Sequence, residues 1–599
     1  MNCKIAIKII LLLLVLCLCS LLTAQEINLS GTVLDIKSGV PLQGVEVSLT
    51  AHQLKDITDE QGRFTIARAA TQMSDRTGEL CYAKIKTQDC GANLKIALTK
   101  PSISEYTFGL DTSVKDTLHV SKPGYLNVGK PLDTLDHSSL VIELGKNSEF
   151  KGGWAKVPGI LAAITPPRFP DRDFSVTDYG ADGGGSGNNY LALKKTVEAC
   201  HIAGGGRVVV PKGIYRMEGP IHLLSNVNLH LQQGAKLDFY WNRDGYLVGD
   251  EEHRGRVPVR WEGTWIYNFS PLIYAWNQKN IGLTGPGEID GNGLRTDWPD
   301  HDDKELKNGW AHKGVPIDKR IANALTPGTI EFYFCQNVLM ENFTSGEPNE
   351  RNVHPVMCSN VTIRGLNILP SNATQKEDDG IDPDGCQYVV IEDCRIHSYD
   401  DNIGIKSGRD NDGWIAEIED PEGKWYQEIP GWPAKNILIR NNWFHGGDHN
   451  MVGIGSDQAG GAEYIYAWDC QAGQVINQDN ILEIKANANR GGEVHHIYIR
   501  DIQVKNIKWI LTVRHNYPGY APDGPQSLPR THHIYIENVC VKNGGDIGFI
   551  FKGWDEEPMH DFYFKNITIP KGQTASYNGV LKETITAINV IINGKEWHP

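Results

Sequence analysis

From Asn226 onward the chain keeps returning to one short phrase, a polar or aromatic residue followed by alternating apolar positions. It reads Asn226-Val227-Asn228-Leu229, Asn280-Ile281-Gly282-Leu283, Asn337-Val338-Leu339-Met340, Asn360-Val361-Thr362-Ile363 and Asn436-Ile437-Leu438-Ile439. Looser copies begin at Tyr388, Tyr464, His496, His533 and Asp561. From 337 to 360 is 23 residues, and 360 to 388 and 436 to 464 are each 28. Self-similarity at this period marks a repeat fold. Alternating apolar positions mark strands with one face in a core. The strands are β-branched and aromatic, and no helical pattern falls between them, which excludes a leucine-rich repeat. The pattern therefore predicts an all-β chain dominated by a right-handed parallel β-helix. One helix precedes the repeats. Asn188 or Asn189 caps it, Tyr190, Leu193, Val197 and Cys200 form its apolar face, and Ala203-Gly204-Gly205-Gly206 ends it. Such a helix would cover the open end of a solenoid, which must not stay a bare sheet edge.

The front of the chain has a different texture. Lys4 and Lys8, the apolar run Ile9 to Leu18, and Leu22-Thr23-Ala24 ahead of Gln25 predict a signal peptide over 1–24, too short in its apolar part to span a membrane. Residues 25–146 alternate in short strand patterns with turn residues, as in Gly31-Thr32-Val33 and Gly62-Arg63-Phe64-Thr65-Ile66, and predict a small β-sandwich. This stretch resembles the carboxypeptidase-regulatory-like β-sandwich of exported bacterial proteins. Residues 147–170, ending in Pro166-Pro167-Arg168-Phe169-Pro170, read as a stiff linker. The solenoid is expected over 171–599.

Charge and cysteine usage narrow the function. The formal charge is -15, and loss of residues 1–24 removes two lysines and no acid, leaving -17. That excludes nucleic acid as a partner, since its binding rests on neutralising phosphates. A polyanionic substrate would need local basic groups in the cleft. Of twelve cysteines, Cys3, Cys17 and Cys19 lie in the signal, which leaves an odd nine. Cys335, Cys358 and Cys386 precede strand-like runs at equivalent repeat positions and read as a buried ladder. Cys81 and Cys90 are the expected disulfide. The cysteines show no metal-ligand spacing, and no cofactor is expected.

The chemistry sits in two acidic clusters one repeat apart. Asp379 lies in Glu377-Asp378-Asp379-Gly380, and Asp400-Asp401 lie 21 residues on. An Asp-Asp pair at a strand end is most often a solvated turn, but here Asp379 would stack beside it on the adjacent coil. Adjacent strands lie about 4.8 Å apart. A sideways offset would bring the carboxyl groups to roughly 6.5–9.5 Å, the separation of an inverting glycoside hydrolase. Asp400 and Asp401 can both face a cleft only if the strand bends there. Asp382-Pro383-Asp384-Gly385 is a candidate calcium turn, more simply an Asp-Gly turn. Trp261, Trp265 and Tyr517 are candidates for stacking on sugar rings.

Residues 174 to roughly 540 resemble glycoside hydrolase family 28, the polygalacturonase-like enzymes on a pectin-lyase-like solenoid. The matching phrases are Phe174-Ser175-Val176-Thr177-Asp178-Tyr179-Gly180-Ala181, Gly204-Gly205-Gly206-Arg207-Val208-Val209-Val210-Pro211 and Asn226-Val227-Asn228-Leu229-His230-Leu231. The family's Asn-Thr-Asp motif aligns with Glu377-Asp378-Asp379, its Asp-Asp pair with Asp400-Asp401, its Gly-His-Gly with Asp448-His449-Asn450 and its Arg-Ile-Lys with Glu483-Ile484-Lys485. The resemblance implies Asp400 as general acid, Asp379 and Asp401 as the groups that activate water, and His449 as the residue that tunes an acid. It places Lys485, Glu483 and Glu377 at the substrate.

The expectation is an exported, periplasmic or extracellular, monomeric hydrolase that cleaves a pectic polysaccharide by inversion, with neither cofactor nor metal. A carboxylate at Glu483 would repel galacturonate, which points to a neutral sugar or rhamnogalacturonan there. The insertion from Asp410 to Trp432 would wall off one end of the cleft in an exo-acting enzyme. The rival readings are a calcium-dependent lyase on the same fold, for which the sequence shows no basic residue at a convincing spacing from the acids, and a solenoid that binds glycan without cleaving it.

Overall fold

The computed structural model describes residues 153–599, apart from 295–297, 300–309, 311–314, 324, 371–377, 415–417, 420–424, 427–431, 476–477, 489 and 519–526, and eight strands of residues 1–152. The chain divides into two units, 1–152 and 153–599. In the first, Ile27–Leu34, Arg63–Arg68, Asn93–Ala97 and Glu143–Gly145 form one antiparallel sheet, and Glu46–Leu49, Leu54–Ile57, Thr117–Ser121 and Val128–Pro131 form another. The signal over 1–24 and the pair Cys81 and Cys90 lie outside the described residues.

The second unit is a right-handed parallel β-helix whose coils carry strands on three faces. Register holds along the first face, and the cleft face shifts by one residue between Gly447 and Asn450. On the first face Leu229, Leu283, Met340, Ile363, Ile391, Ile439, Ala467, Ile499, Ile536 and Phe564 pair in succession, and none is more than 2% exposed. These are the last positions of the repeat phrases, so the alternation read from sequence is the inside of the solenoid. Cys335, Cys358 and Cys386 are buried free thiols at successive coils, as the ladder reading expected. The helix Tyr190–Ile202 begins after Asn189, buries Leu193, Val197 and Cys200, and packs on the first coils.

The first residue of each phrase turns a corner. All ten of them, from Asn226 to Asp561, have φ between 54° and 66°. L-residues resist this left-handed conformation and asparagine tolerates it best. Stacking rewards the choice. Asn280 donates to Asn226, Asn337 to Asn280 and Asn360 to Asn337, at 2.7–2.9 Å. Where the phrase starts with another residue, rings take over: Tyr464, His496 and His533 stack at 4.9 Å spacing.

The segment expected to be a linker is only partly one. Residues 153–170 belong to the solenoid unit. Trp154 packs on Tyr466, Trp468 and Tyr498, the Arg500 guanidinium lies 3.8 Å from the Trp154 ring, and Thr165 exchanges two hydrogen bonds with the Asn360 side chain. The proline run suggested a free rod; the aromatic anchor ahead of it ties it down.

The corner ladder makes a specific prediction. Asn337→Val puts a β-branched residue at φ 58° and removes two amide bonds, so it should lower unfolding stability by about 2–3 kcal/mol, whereas Asn337→Gly should cost about 1 kcal/mol. Denaturant titration of both variants checks this; equal losses would show that backbone strain is not what selects asparagine.

Candidate active site

The third face of the solenoid carries the acids. Its strands run Ile221–His222, Ile273–Trp276, Ile330–Tyr333 and Val353–Val356, then through Ile381 and Asp384 to Ile403–Ile405, Gly447–Ile454, Gln478–Lys485 and the end of Glu493–Arg514. Asp379 precedes Ile381 and Asp401 precedes Ile403, and these two isoleucines pair, so the acids share a level on adjacent coils. Asp400 and Asp401 lie on a bend, as two neighbours facing one cleft require. The Asp401 amide donates to Asp379 Oδ1 at 2.9 Å and to Asp400 Oδ1 at 2.8 Å.

One oxygen from each of Asp379, Asp400 and Asp401 lies within 4.8 Å of the others. This corrects the wider separation expected from sequence: in-register stacking leaves no sideways offset. Asp379 and Asp401 are buried, and the Asp400 side chain is 18% exposed. Cations from three other positions converge on them. Lys485 Nζ is 2.9 Å from Asp401, Lys406 Nζ is 3.1 Å from Asp379, and His449 Nδ1 is 2.9 Å from Asp400. Gly453 leaves the room this needs, because a Cβ there would come 2.3 Å from Asp401 Oδ2.

The environments push the three acids apart. Burial and the nearby Asp379 charge raise the Asp400 carboxyl above the ordinary aspartate range, although His449 pulls the other way. Burial works against ionisation of Asp379 as well, but Lys406 and Arg351 outweigh it and hold this acid low. Lys485 and Lys406 do the same for Asp401. His449 loses some basicity to burial yet is raised to about 9 by its contact with Asp400 and by the charges of Asp400 and Asp401. An acid pushed toward its protonated form beside two held toward their ionised forms is the arrangement that can give a proton to a leaving oxygen and take one from water.

The other candidates separate. Glu377 lies outside the described residues. Glu483 is 4% exposed, ion-pairs with Arg514 and accepts from Asn450 at 2.8 Å. Asn450 also donates to Asp401 Oδ1, so two of the departures from the family motifs, Asn450 for glycine and Glu483 for arginine, are partners in one network. The calcium turn is replaced by ion pairs: Asp382 faces Arg351 at 3.0 Å and Asp384 faces Arg260 at 3.2 Å. Trp261 and Trp265 are buried packing residues, whereas Tyr517 lines the cavity over the acids. Sequence reasoning missed Lys406, Arg351, Arg409, Asp457 and Asn450. Lys406 was the most findable, since it closes the strand that follows the Asp pair.

The cavity holds about 220 Å³ and is lined by Asp379, Asp400, Lys406, Lys485, Tyr517 and Glu262, among others. Glu262 comes from the hairpin Val257–Trp261 and Thr264–Asn268. This hairpin buries the outer face of Tyr274, Trp276, Tyr333 and Val356 and so covers the cleft on the coils before the acids. Its tip is pinned by Glu262 to Arg409 at 3.1 Å and by the Arg409 amide to Gly263 O at 2.9 Å. Gly263 has φ 74° and touches Asp457 so closely that no side chain fits. The Trp265 amide donates to Asp412 Oδ2 at 2.7 Å and Arg260 donates to the Asp412 carbonyl at 3.1 Å, so the described part of the 410–432 insertion supports this wall at both hairpin strands.

Residues 261–586 match the family model for glycosyl hydrolases family 28, and 174–233 match one for rhamnogalacturonase A/epimerase, pectate lyase-like. A probable polygalacturonase of Vitis vinifera is 27% identical over 409 residues, 66% of this chain and 74% of that protein. An exo-poly-alpha-D-galacturonosidase of Dickeya chrysanthemi is 24% identical, over 56% of this chain and 55% of that protein. The crystal structure of a hyperthermoactive exopolygalacturonase from Thermotoga maritima superposes with a TM-score of 0.63 at 28% identity, covering 74% of this chain and 97% of that one.

His449 favours the ionised form of Asp400, so its removal should raise the Asp400 pKa further. In His449→Ala the alkaline limb of the hydrolytic pH profile should move to higher pH while the maximal rate falls. A limb that stays in place or moves down would separate His449 from the titration of Asp400.

Proposed function

The chain belongs to glycosyl hydrolases family 28, and we propose that it cleaves the galacturonan of pectin, taking sugar from a chain end. It is a glycoside hydrolase. The observation that carries the reading is the split among three adjacent acids: Asp400 held toward its protonated form, Asp379 and Asp401 held ionised. Asp400 then protonates the leaving glycosidic oxygen, and Asp379 and Asp401 together draw the proton from water. His449 orients Asp400 and moderates its basicity. Lys485 and Lys406 keep the two bases ionised, and Lys485 with Tyr517 borders the sugar.

End-on attack is supported by the wall. The hairpin at 257–268 occupies the cleft on the coils before the acids, so a polymer enters from the later coils and stops at Glu262. The relatives named for exo activity are consistent with this. The expectation of a neutral sugar near Glu483 loses its basis, because Arg514 takes up that charge. Carboxyl groups this close are the spacing of retaining glycosidases. Here two ionised acids share one water, and inversion is the expected outcome. The signal pattern of residues 1–24 supports export, which brings the enzyme to a polymer found outside cells.

On polygalacturonate the wild type should release monogalacturonate from the first time points, and Asp400→Asn should lose roughly a hundred- to ten-thousandfold in kcat. Early oligomers of mixed length would overturn end-on attack, and full activity in Asp400→Asn would overturn the acid assignment. Proton NMR of the product should show the inverted anomer first; a retained anomer would mean that one of the two bases is a nucleophile.

A further inference from the structure

Most cations around the acids are already committed. Lys406, Lys485, Arg351, Arg409 and Arg490 are all less than 10% exposed, and each lies within 4 Å of a carboxylate. They balance the protein's own acids and leave little charge for a substrate. One row of side chains differs. Lys485 pairs in register with Arg514, and Arg514 with Lys552, on three consecutive coils of the cleft face. Strand alternation turns all three the same way, since Ile484, Val513 and Phe551 between them point into the core. Exposure rises along the row. Lys485 is buried against Asp401, the Arg514 side chain is 35% exposed, and Lys552 is exposed with no ion pair among the described residues.

Arg514 is held for use. One guanidinium nitrogen pairs with Glu483, its Nε is buried without a hydrogen-bond partner, and the group lies 5.0 Å from the ring centre of Tyr517, which lines the cavity. Glu483 is tied in turn to Asn450 and through it to Asp401. The geometry points to a cationic track: Arg514 and Lys552 bind the carboxylates of successive uronic acid units as the polymer leaves the catalytic cavity on the side away from the hairpin wall. Coils repeat at about 4.8 Å, comparable to one pyranose unit along a chain. A row of single cations at that pitch fits a polyanion with one charge per sugar. Arginine suits the inner place, where a planar fork meets a carboxylate, and the strongly hydrated lysine suits the outer one. This is the local basic surface that a chain of net charge -15 requires for an anionic substrate.

The proposal rests on galacturonan as the substrate, and a binding measurement separates it from that reading. In full-length Asp400→Asn, the Kd for polygalacturonate is measured by calorimetry with Arg514→Gln, Lys552→Gln and both. Arg514→Gln should weaken binding about fivefold and Lys552→Gln roughly threefold. Both losses should shrink in about 1 M salt, where the screening length is about 3 Å. Methyl-esterified pectin, whose carboxyls are neutral, should show neither loss. Arg514→Lys should keep most of the affinity, which guards against a folding defect. An unchanged Kd in the double variant, or equal losses on the ester, would overturn the track. Restoration of affinity by adding Glu483→Gln to Arg514→Gln would also overturn it, because Arg514 would then only neutralise Glu483. If wild-type enzyme failed to hydrolyse polygalacturonate while these losses held, the substrate reading would fall and the track would stand.

Discussion

Like charges brought close in a water-poor cleft are the constraint on which this molecule depends. Two carboxylates 4.8 Å apart repel by at least roughly 3 kcal/mol at the effective dielectric of a partly buried site. Three of them cannot all ionise there without help. The protein meets this by holding the Asp400 carboxyl above the ordinary aspartate range and by bringing Lys406, Lys485 and His449 to the group from different coils. The same pressure that strains the folded state therefore divides the labour of acid and base. A stack in register delivers side chains from residues 379, 401 and 485 to one spot, and a register shift between Gly447 and Asn450 adds His449, which is why the corner ladder and the interior column matter to the chemistry.

The surrounding charges extend the logic. Arg351 lies between Asp379, Asp382 and Asp457, and Arg409 ties Asp457 to the hairpin tip at Glu262. The wall that closes the cleft is thus wired into the network that keeps the acids in their states. Breaking one member of such a buried network is costly because it strands an uncompensated charge. Closure on one side, an acidic centre and rising basic exposure on the other give the cleft a direction, from Glu262 past Asp400 toward Arg514 and Lys552.

The parts of this that could be read from sequence share a cause. Asparagine opens the repeat phrases because the corner needs a positive φ, so a backbone demand wrote itself into residue identity. The interior columns were legible as alternation, the capping helix as a 3.6-residue period, and the acids as paired aspartates one coil apart. What stayed hidden depends on partners far along the chain. Glu483 looked like a repulsive charge until Arg514, one coil later, was seen to answer it. The hairpin at 257–268 reads as two ordinary strands, and nothing local says that it lies across a cleft. Trp154 anchors a proline-rich segment to rings more than three hundred residues away. The carboxyl spacing was misjudged because sequence fixes which coil a residue occupies but not the offset between coils.

The central claim is that Asp400 alone of the three acids carries a proton when the site is ready to act. Infrared difference spectroscopy of the substrate-free protein at about pH 6, well above the ordinary aspartate pKa of about 3.9, reads this directly. Wild type minus Asp400→Asn should show the loss of a protonated carboxyl band, and the same difference with Asp379→Asn or Asp401→Asn should show the loss of carboxylate bands. A protonated band that survives in Asp400→Asn and vanishes with Asp379→Asn or Asp401→Asn would contradict the account.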